Sequence, residues 1–289
     1  DAILWSWHVW VTDEDINNVI EITNHQNVKY NFMPVNLGQC DGNTITYEER
    51  SCKVKFIAGD QSKEITIKQL ANVIATGSNA PFYQWGRKDP LYPSNGMGNT
   101  TKIWYDKEGI PSTANPMKGT FSAGNDCIKN CILNPNLMHN RYNGDYTYYN
   151  LWSADNKTTS ANDNPVNKTI YDPCPVGFKL PASNAFTGFT TTGESVSSST
   201  QVNGTWSSSE KGWYFYTNSE KTQSIFFPAL GYRSYSTMRP GSIGTQGCFW
   251  SAHPVAKGNN YYLRTSSVDV QPTYMVDRGF GYALRPCQD

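Results

Sequence analysis

The chain of 289 residues has no long apolar run, no block of lysine or arginine, and little charge of either sign. The first absence leaves no segment long enough to cross a bilayer as a helix, so no membrane span is expected in this segment. The second leaves an extended polyanion nothing to hold. The 24 basic residues are balanced by 24 acidic ones and are scattered, which argues against nucleic acid as a partner. Catalytic signatures are missing too: His8, His25, His139 and His253 show no HExxH spacing, and neither GxSxG nor a phosphate-binding glycine loop occurs. The chain starts at Asp1 with no initiator methionine or signal peptide, and reads as a processed form or a fragment.

What is present is an excess of Gly, Pro, Ser, Thr, Asn and aromatic residues, a mix that favours strands joined by long polar loops. With only 17% charged residues, the composition looks extracellular, and seven cysteines agree with it. Cys40 lies close to Cys52 and Cys127 to Cys131, while Cys174 can reach Cys287 near the end. Cys248, in "GCFWS", is then left as a buried free thiol.

Alternation places Trp5, Trp7, Val9 and Val11 of "ILWSWHVWVTD" on one face of a core strand, with Ser6, His8 and Thr12 on the other and Trp10 open to either role. "KVKFIAGDQSKEITI" reads as a hairpin, with Val54 and Phe56 facing Ile65 and Ile67 around a Gly-Asp turn. Ser78 or Asn79 caps about two turns of helix ending before Pro90. A strand from Phe178 to Leu180 precedes a helix capped by Ser183, and residues 190 to 203 form an exposed Ser/Thr-rich loop. Trp206 to Tyr214 and Trp250 to Tyr261 echo each other as successive hairpins of one antiparallel sheet, and "GYALRPC" is the final strand. The whole reads as one domain, 1–289, with an inserted hairpin around 41–75 and a loop-rich insertion around 91–168.

Six blocks, "ILWSWHVWVTD", "FYQWGRKDP", "YDPCPVGFKLP", "FFPALGYR", "FWSA" and "RGFGYALRPC", together resemble the major-paralogous-domain (FISUMP) family of gut Bacteroidetes surface proteins. They occur in the family's order along the whole chain. "NFMPVNLGQCDG" departs from the family pattern by losing an Asp-Arg pair and gaining Cys40, and residues 41–80 exceed it. The resemblance implies an α+β, C-type-lectin-like fold, with short helices around a small, twisted, mostly antiparallel sheet and long loops. It also implies a Cys174–Cys287 disulfide, and a secreted or outer-membrane-anchored extracellular location, often in fimbrillin-associated or adhesin chains. Arg87, Lys88 and Asp89 read as ties between a helix end and loops, and Asp172 as a turn-former.

The expected function is a non-catalytic adhesin module recognising a glycan or protein ligand. One alternative is a structural or tip component of a fimbria or pilus, partnered by pilus or adhesin subunits. Another is a retroelement-diversified receptor domain. The segment implied to meet ligand holds His253, Tyr261, Tyr262, Arg264, Asp269, Tyr274 and Asp277, residue types that join contact area to polar handles. Alternation makes one of Tyr261 and Tyr262 core, and Arg278 a neighbour of the last strand. No catalytic residue, cofactor or metal is expected. Gln271-Pro272-Thr273 lacks the carboxylate of a calcium lectin's tripeptide, and Asp155, Asn162, Asp163 and Asn164 read as a solvated loop rather than a calcium site.

Overall fold

The computed structural model describes residues 3–39, 45–74, 79–94, 103–106, 108, 110–112, 118–119, 125–139, 151–155, 158–255 and 258–289. Much of the expected loop-rich stretch 91–168 lies outside them. The first hairpin joins β1 (Ile20–Thr23) to β2 (Lys29–Phe32), with Ile20 opposite Phe32. Its turn is held by Asn24, whose Oδ1 accepts the Gln26 and Val28 N–H groups at 3.0 and 2.8 Å. Asn27 takes the left-handed conformation that asparagine tolerates best among residues with a Cβ.

A two-stranded ribbon follows: β3 (Ile45–Tyr47), β4 (Arg50–Ala58), β5 (Gln61–Gln69) and β6 (Asn72–Ile74). β4 pairs with β5 through all nine residues, Val54 opposite Ile65 as the alternation predicts, and β3 pairs with β6. Gly59, at φ +61° with open space around it, supplies the positive φ that the first position of a two-residue hairpin loop needs.

The helix predicted before Pro90 does not form. Residues 79–87 are all buried, so no polar stripe exists to face water as an amphipathic helix requires. The chain instead runs extended through β7 (Tyr83–Gln84), with Phe82 bridged to Leu91. Next come β8 (Trp104–Tyr105) paired with β9 (Pro111–Ser112), then β10 (Lys118–Gly119), helix α1 (Asn125–Leu133) and β11 (Met138–His139), which pairs in parallel with β10.

Asp172 forms the expected turn. Its two carboxylate oxygens accept the Cys174 and Leu180 N–H groups at 2.8 and 3.1 Å, which sets β12 (Phe178–Lys179). The helix after it is a 3-10 helix, Ser183–Phe189, preceded by Ala182 rather than capped by Ser183. The Ser183 hydroxyl oxygen instead accepts the Asn162 N–H at 2.8 Å. The 190–203 loop is partly interior: Val196 is buried and bridged to Val270, and Val202 is buried.

The two echoing hairpins form as predicted, but in separate sheets. β13 (Gly204–Ser207), β14 (Gly212–Tyr216) and β15 (Ser224–Pro228) make one. After β16 (Tyr232–Arg233) and β17 (Pro240–Gly241), the strands β18 (Gly247–Pro254), β19 (Asn259–Thr265) and β20 (Val270–Asp277) make the other. The chain ends in β21 (Gly281–Tyr282), within the sheet β17-β16-β21-β7, and β22 (Cys287–Gln288), within the sheet β1-β2-β22-β12. The predicted single final strand therefore serves two sheets.

These findings overturn the α+β, C-type-lectin-like expectation. The described residues form mostly antiparallel strands in several small sheets, with one α-helix and two short 3-10 helices. Frequent Gly, Pro, Asn and Ser cut the strands to between two and nine residues, and the segments read as helix are buried on all sides.

The opening segment is inverted relative to its prediction. Trp7, Val9 and Val11 are 80, 81 and 89% exposed, while Ser6, His8, Trp10 and Thr12 turn toward the body, with Trp5 half-buried beside Tyr171. The wall beneath is polar and buried, which is the physical reason. Lys88 and Asp89 pair at 2.8 Å with side chains 8 and 7% exposed; Lys88 Nζ donates to the Ser6 carbonyl at 2.8 Å, and the Ser6 hydroxyl donates to Asp89. The Tyr83 hydroxyl meets His8 Nδ1 at 2.8 Å, and Trp10 Nε1 donates to the Gln39 carbonyl at 3.0 Å. Facing three apolar side chains inward would strand that buried ion pair and leave the His8 and Trp10 partners unmet, a cost that offsets what apolar burial returns.

The expected Cys174–Cys287 disulfide is absent. Both residues are buried thiols, as is Cys248. Burial, with the neighbouring Asp172 charge, pushes the Cys174 thiol pKa well up, and burial pushes those of Cys248 and Cys287 up to about 12. The pairings of Cys40 and Cys127 fall outside the described residues. Native-state labelling with a maleimide should leave Cys174, Cys248 and Cys287 unmodified until denaturant is added; an intact disulfide that resists labelling even in denaturant without reductant would contradict the thiol assignment.

A phenylalanine cluster forms the centre of the larger core. Phe189 stacks on Phe215 at 3.9 Å, and Phe227 meets Phe32, Phe186, Phe189, Phe215 and Phe249 edge-on. The Arg285 guanidinium lies 4.4 Å over Phe227, and donates to Asn36 Oδ1 at 2.7 Å and to the carbonyls of Met33, Pro34 and Phe226 at 3.2, 2.8 and 2.7 Å. Replacing Arg285 with Ala should lower unfolding stability in urea by about 3 kcal/mol or more, because several buried acceptors lose their donor together. Arg285→Lys should recover only part of it, since one ammonium cannot span that set.

Candidate functional site

The residues predicted to meet ligand fall on the sheet β18-β19-β20, but the structure divides them. Trp250 opposes Tyr262, and Tyr262 opposes Tyr274, so these three share a face. Pro272 has no N–H for a ladder, and between the Tyr262–Tyr274 and Arg264–Gln271 pairs the register slips. That irregularity brings Gln271 opposite Arg264 and beside Asp269.

Tyr262 is buried between Trp250, Tyr274 and Tyr282, at ring distances of 5.8, 5.7 and 4.6 Å, and burial drives its hydroxyl pKa upward. It is core. His253 is buried as well, with the Ser183 N–H donating to its Nδ1 at 3.3 Å. Tyr261 lies on the opposite face of β19, its hydroxyl donating to the Thr159 carbonyl at 3.3 Å. Asp277 closes a turn by accepting the Gly279 N–H at 2.8 Å, and Arg278 is buried 4.6 Å over Trp85. His253 and Tyr262 are therefore interior, Asp277 is half-buried and engaged in a turn, and Tyr261 lies on another surface.

Arg264, Asp269 and Tyr274 remain together, and the structure adds Gln271. Arg264 Nη1 reaches Asp269 Oδ1 and Gln271 Oε1, both at 3.1 Å, while its guanidinium lies 5.7 Å from the Tyr274 ring. Asp269 is itself fixed by the Ser266 hydroxyl at 2.7 Å. With Nη1 occupied, Nε and Nη2 make no hydrogen bond among the described residues and stand as oriented donors at a half-buried position. Tyr274, 44% exposed, presents its ring next to them. Behind it, Tyr262, Tyr282 and Phe280 continue as an aromatic ladder to Tyr232 and Tyr235 on the neighbouring sheet. An aromatic face beside fixed donors and acceptors suits a sugar ring with its hydroxyls, or a planar side chain of a protein.

No family model matches the chain, and no curated protein or solved structure does.

A second concavity of about 310 Å³ lies between β2, β12, β22 and the 163–166 loop, lined by Lys29, Tyr30, Asp163, Lys179 and Asp289. Its polar groups are already engaged. Asp163 accepts from Asn24, Tyr30 and Asn184 at 2.6, 2.7 and 2.9 Å, while Lys29 and Lys179 pair with Glu21 and Asp289. The acid and amide cluster around Asp163 is thus a structural junction rather than a solvated loop. Among the described residues, no three His, Cys, Asp or Glu side chains converge as a metal site.

The sequence reading takes Gln271 only as part of a tripeptide lacking a calcium lectin's carboxylate and not as a ligand residue, because an amide at period two looks like any outward polar residue. The register slip at Pro272 was the available signal.

His253 carries a consequence for stability. Burial lowers its pKa to about 4, against weaker opposing effects of Asp155 and Asp163. The folded state keeps the ring neutral where the unfolded chain protonates near 6.5, so stability falls as pH drops from 6.5 toward 4, by about 3 kcal/mol from this group. His8, also lowered by burial, acts in the same direction. His253→Gln should flatten the loss in denaturation midpoints between pH 6.5 and 4; an unchanged slope would show that His253 is not buried neutral.

Proposed function

We propose that the chain is a non-catalytic ligand-binding module of a secreted or surface-anchored protein, gripping a glycan or protein ligand with the Arg264, Asp269, Gln271 and Tyr274 face. The observation that carries the reading is the exposed Tyr274 ring set beside a guanidinium already oriented by two partners. Preorganised side chains of this kind lose little rotational freedom on binding. Support also comes from the six sequence blocks that resemble FISUMP surface proteins, and from a composition of short strands and polar loops suited to an extracellular setting. A fimbrial or structural role is a second reading, favoured by the apolar surface on the 45–74 ribbon.

The test is a glycan and host-protein array with the purified chain, followed by calorimetry on each hit. Tyr274→Ala and Arg264→Ala should each weaken binding by about tenfold to a hundredfold, in line with truncating an aromatic or arginine anchor. Both should leave thermal unfolding nearly unchanged, because neither side chain is core. Hits that bind the two variants as tightly as the parent chain would place the ligand elsewhere.

A further inference from the structure

Two surfaces of the molecule are apolar without a partner, and they are of complementary charge. The first is the extended opening segment. Trp7, Val9 and Val11 point outward in a row, followed in sequence by the exposed Asp13, Glu14 and Asp15. Among the described residues none of these three carboxylates has an ion pair, and the backbone of residues 3–12 makes no main-chain hydrogen bond. It is an extended edge whose main chain pairs with no strand among the described residues, although the Ser6 carbonyl accepts from Lys88 Nζ.

The second surface is the β4–β5 ribbon, which joins no other strand among the described residues. The pairing register puts Cys52, Val54, Phe56, Ile65 and Ile67 on one face, with Arg50 and Lys63 among them. Phe56 and Ile67 are 57 and 53% exposed. Lys53 and Lys68, on the opposite face, are matched by Glu64 and Glu49 at 3.0 Å, whereas Arg50 and Lys63 make no ion pair among the described residues. A solitary two-stranded ribbon is marginal in water unless its apolar face is covered.

We infer that the ribbon of one copy of this chain docks along the opening segment of a second copy. The apolar row of Trp7, Val9 and Val11 meets the Val54, Phe56, Ile65 and Ile67 face, and the carboxylates after Val11 meet the cations of the ribbon. Lengths agree: residues 4–12 and each ribbon strand are nine residues, or about 30 Å when extended. Within one copy both surfaces are exposed, so the ribbon does not cover its own opening segment. The two patches differ, so the contact is heterologous: each copy offers one ribbon and one segment, and association can propagate head to tail. This contact is independent of the Tyr274 face.

Sedimentation velocity on the purified chain should show concentration-dependent association that weakens as salt is raised, since the carboxylate–lysine attraction is exposed and screened. A ribbon variant carrying Phe56→Asp and Ile67→Asp, and a segment variant carrying Trp7→Ser and Val9→Asp, should each stay monomeric with unchanged thermal unfolding. Mixed together, they should form one-to-one pairs, because the segment variant keeps an intact ribbon and the ribbon variant an intact segment. Reversing charge with Arg50→Glu and Lys63→Glu should weaken association about tenfold or more, and Asp13→Lys with Asp15→Lys on the other copy should restore it. A parent chain that is monomeric throughout, either variant associating alone like the parent, or a mixture that stays monomeric would overturn the proposal and leave the two surfaces to a different occupant.

Discussion

Everything in the structure depends on how the last segment, residues 281–288, is threaded through the middle of the molecule. β21 pairs with β7 and β16, Ala283 bridges Phe249, the Leu284 and Pro286 carbonyls accept the Leu37 and Met33 N–H groups, and β22 joins β2 to β12. Arg285 sits at the centre of that path and binds two distant stretches of chain, around Met33 to Asn36 and at Phe226. Burial pulls its pKa down to about 9, which still leaves it charged at neutral pH. No carboxylate neutralises it among these contacts. The charge is solvated by carbonyl dipoles and an aromatic face.

The same solution recurs because short strands create the same problem. A strand of two residues satisfies few main-chain groups, so a protein built from many of them buries carbonyls that no ladder reaches. Arginine, with several donors in a fixed plane, can collect them. Arg233 donates to the Met238 and Tyr92 carbonyls at 2.6 and 2.7 Å, and Arg87 to those of Leu137 and Pro135 as well as to the Gln84 side chain. Lys168 does the same for Cys174, Pro175 and Phe178. The low charged fraction of the sequence therefore coexists with structural dependence on a few cations placed against buried carbonyls. In these contacts they act as donors to carbonyls.

That arrangement explains which features were legible in the sequence. Period-two alternation read correctly where both strands of a unit are local, as in the Val54 and Ile65 pairing, and the Asp172 turn was legible because an Asx motif is local too. Alternation at Trp5 to Val11 gave the right period and the wrong face, since the choice of face was made by Lys88 and Asp89, some eighty residues away. The helix expected before Pro90 failed for a similar reason: a run buried on every side carries no periodic signature of its own. At the candidate site, Arg264, Asp269 and Tyr274 were legible as residue types suited to recognition, whereas the burial of His253 and Tyr262 depends on packing against the 3-10 helix and β21. Resemblance between sequence blocks suggested a fold class that the arrangement of sheets does not bear out.

The inverted opening segment also shows how a surface can be apolar without being a folding error. Burying Trp7, Val9 and Val11 would favour folding by about 2 kcal/mol for each side chain. The chain forgoes this because the inward face satisfies a buried ion pair, a histidine and an indole N–H, and a buried ion pair that loses its surrounding hydrogen bonds costs several kcal/mol. Gly38 marks how close the approach is: it lies at φ +73°, and a Cβ there would come within 2.9 Å of the His8 ring and 2.7 Å of Pro81. The segment is thus held rigidly in place by its polar side, and rigidity is what makes its apolar side a defined surface. An apolar row that wandered would offer a partner nothing to recognise, whereas one pinned at Ser6, His8 and Trp10 presents fixed spacing to whatever binds it.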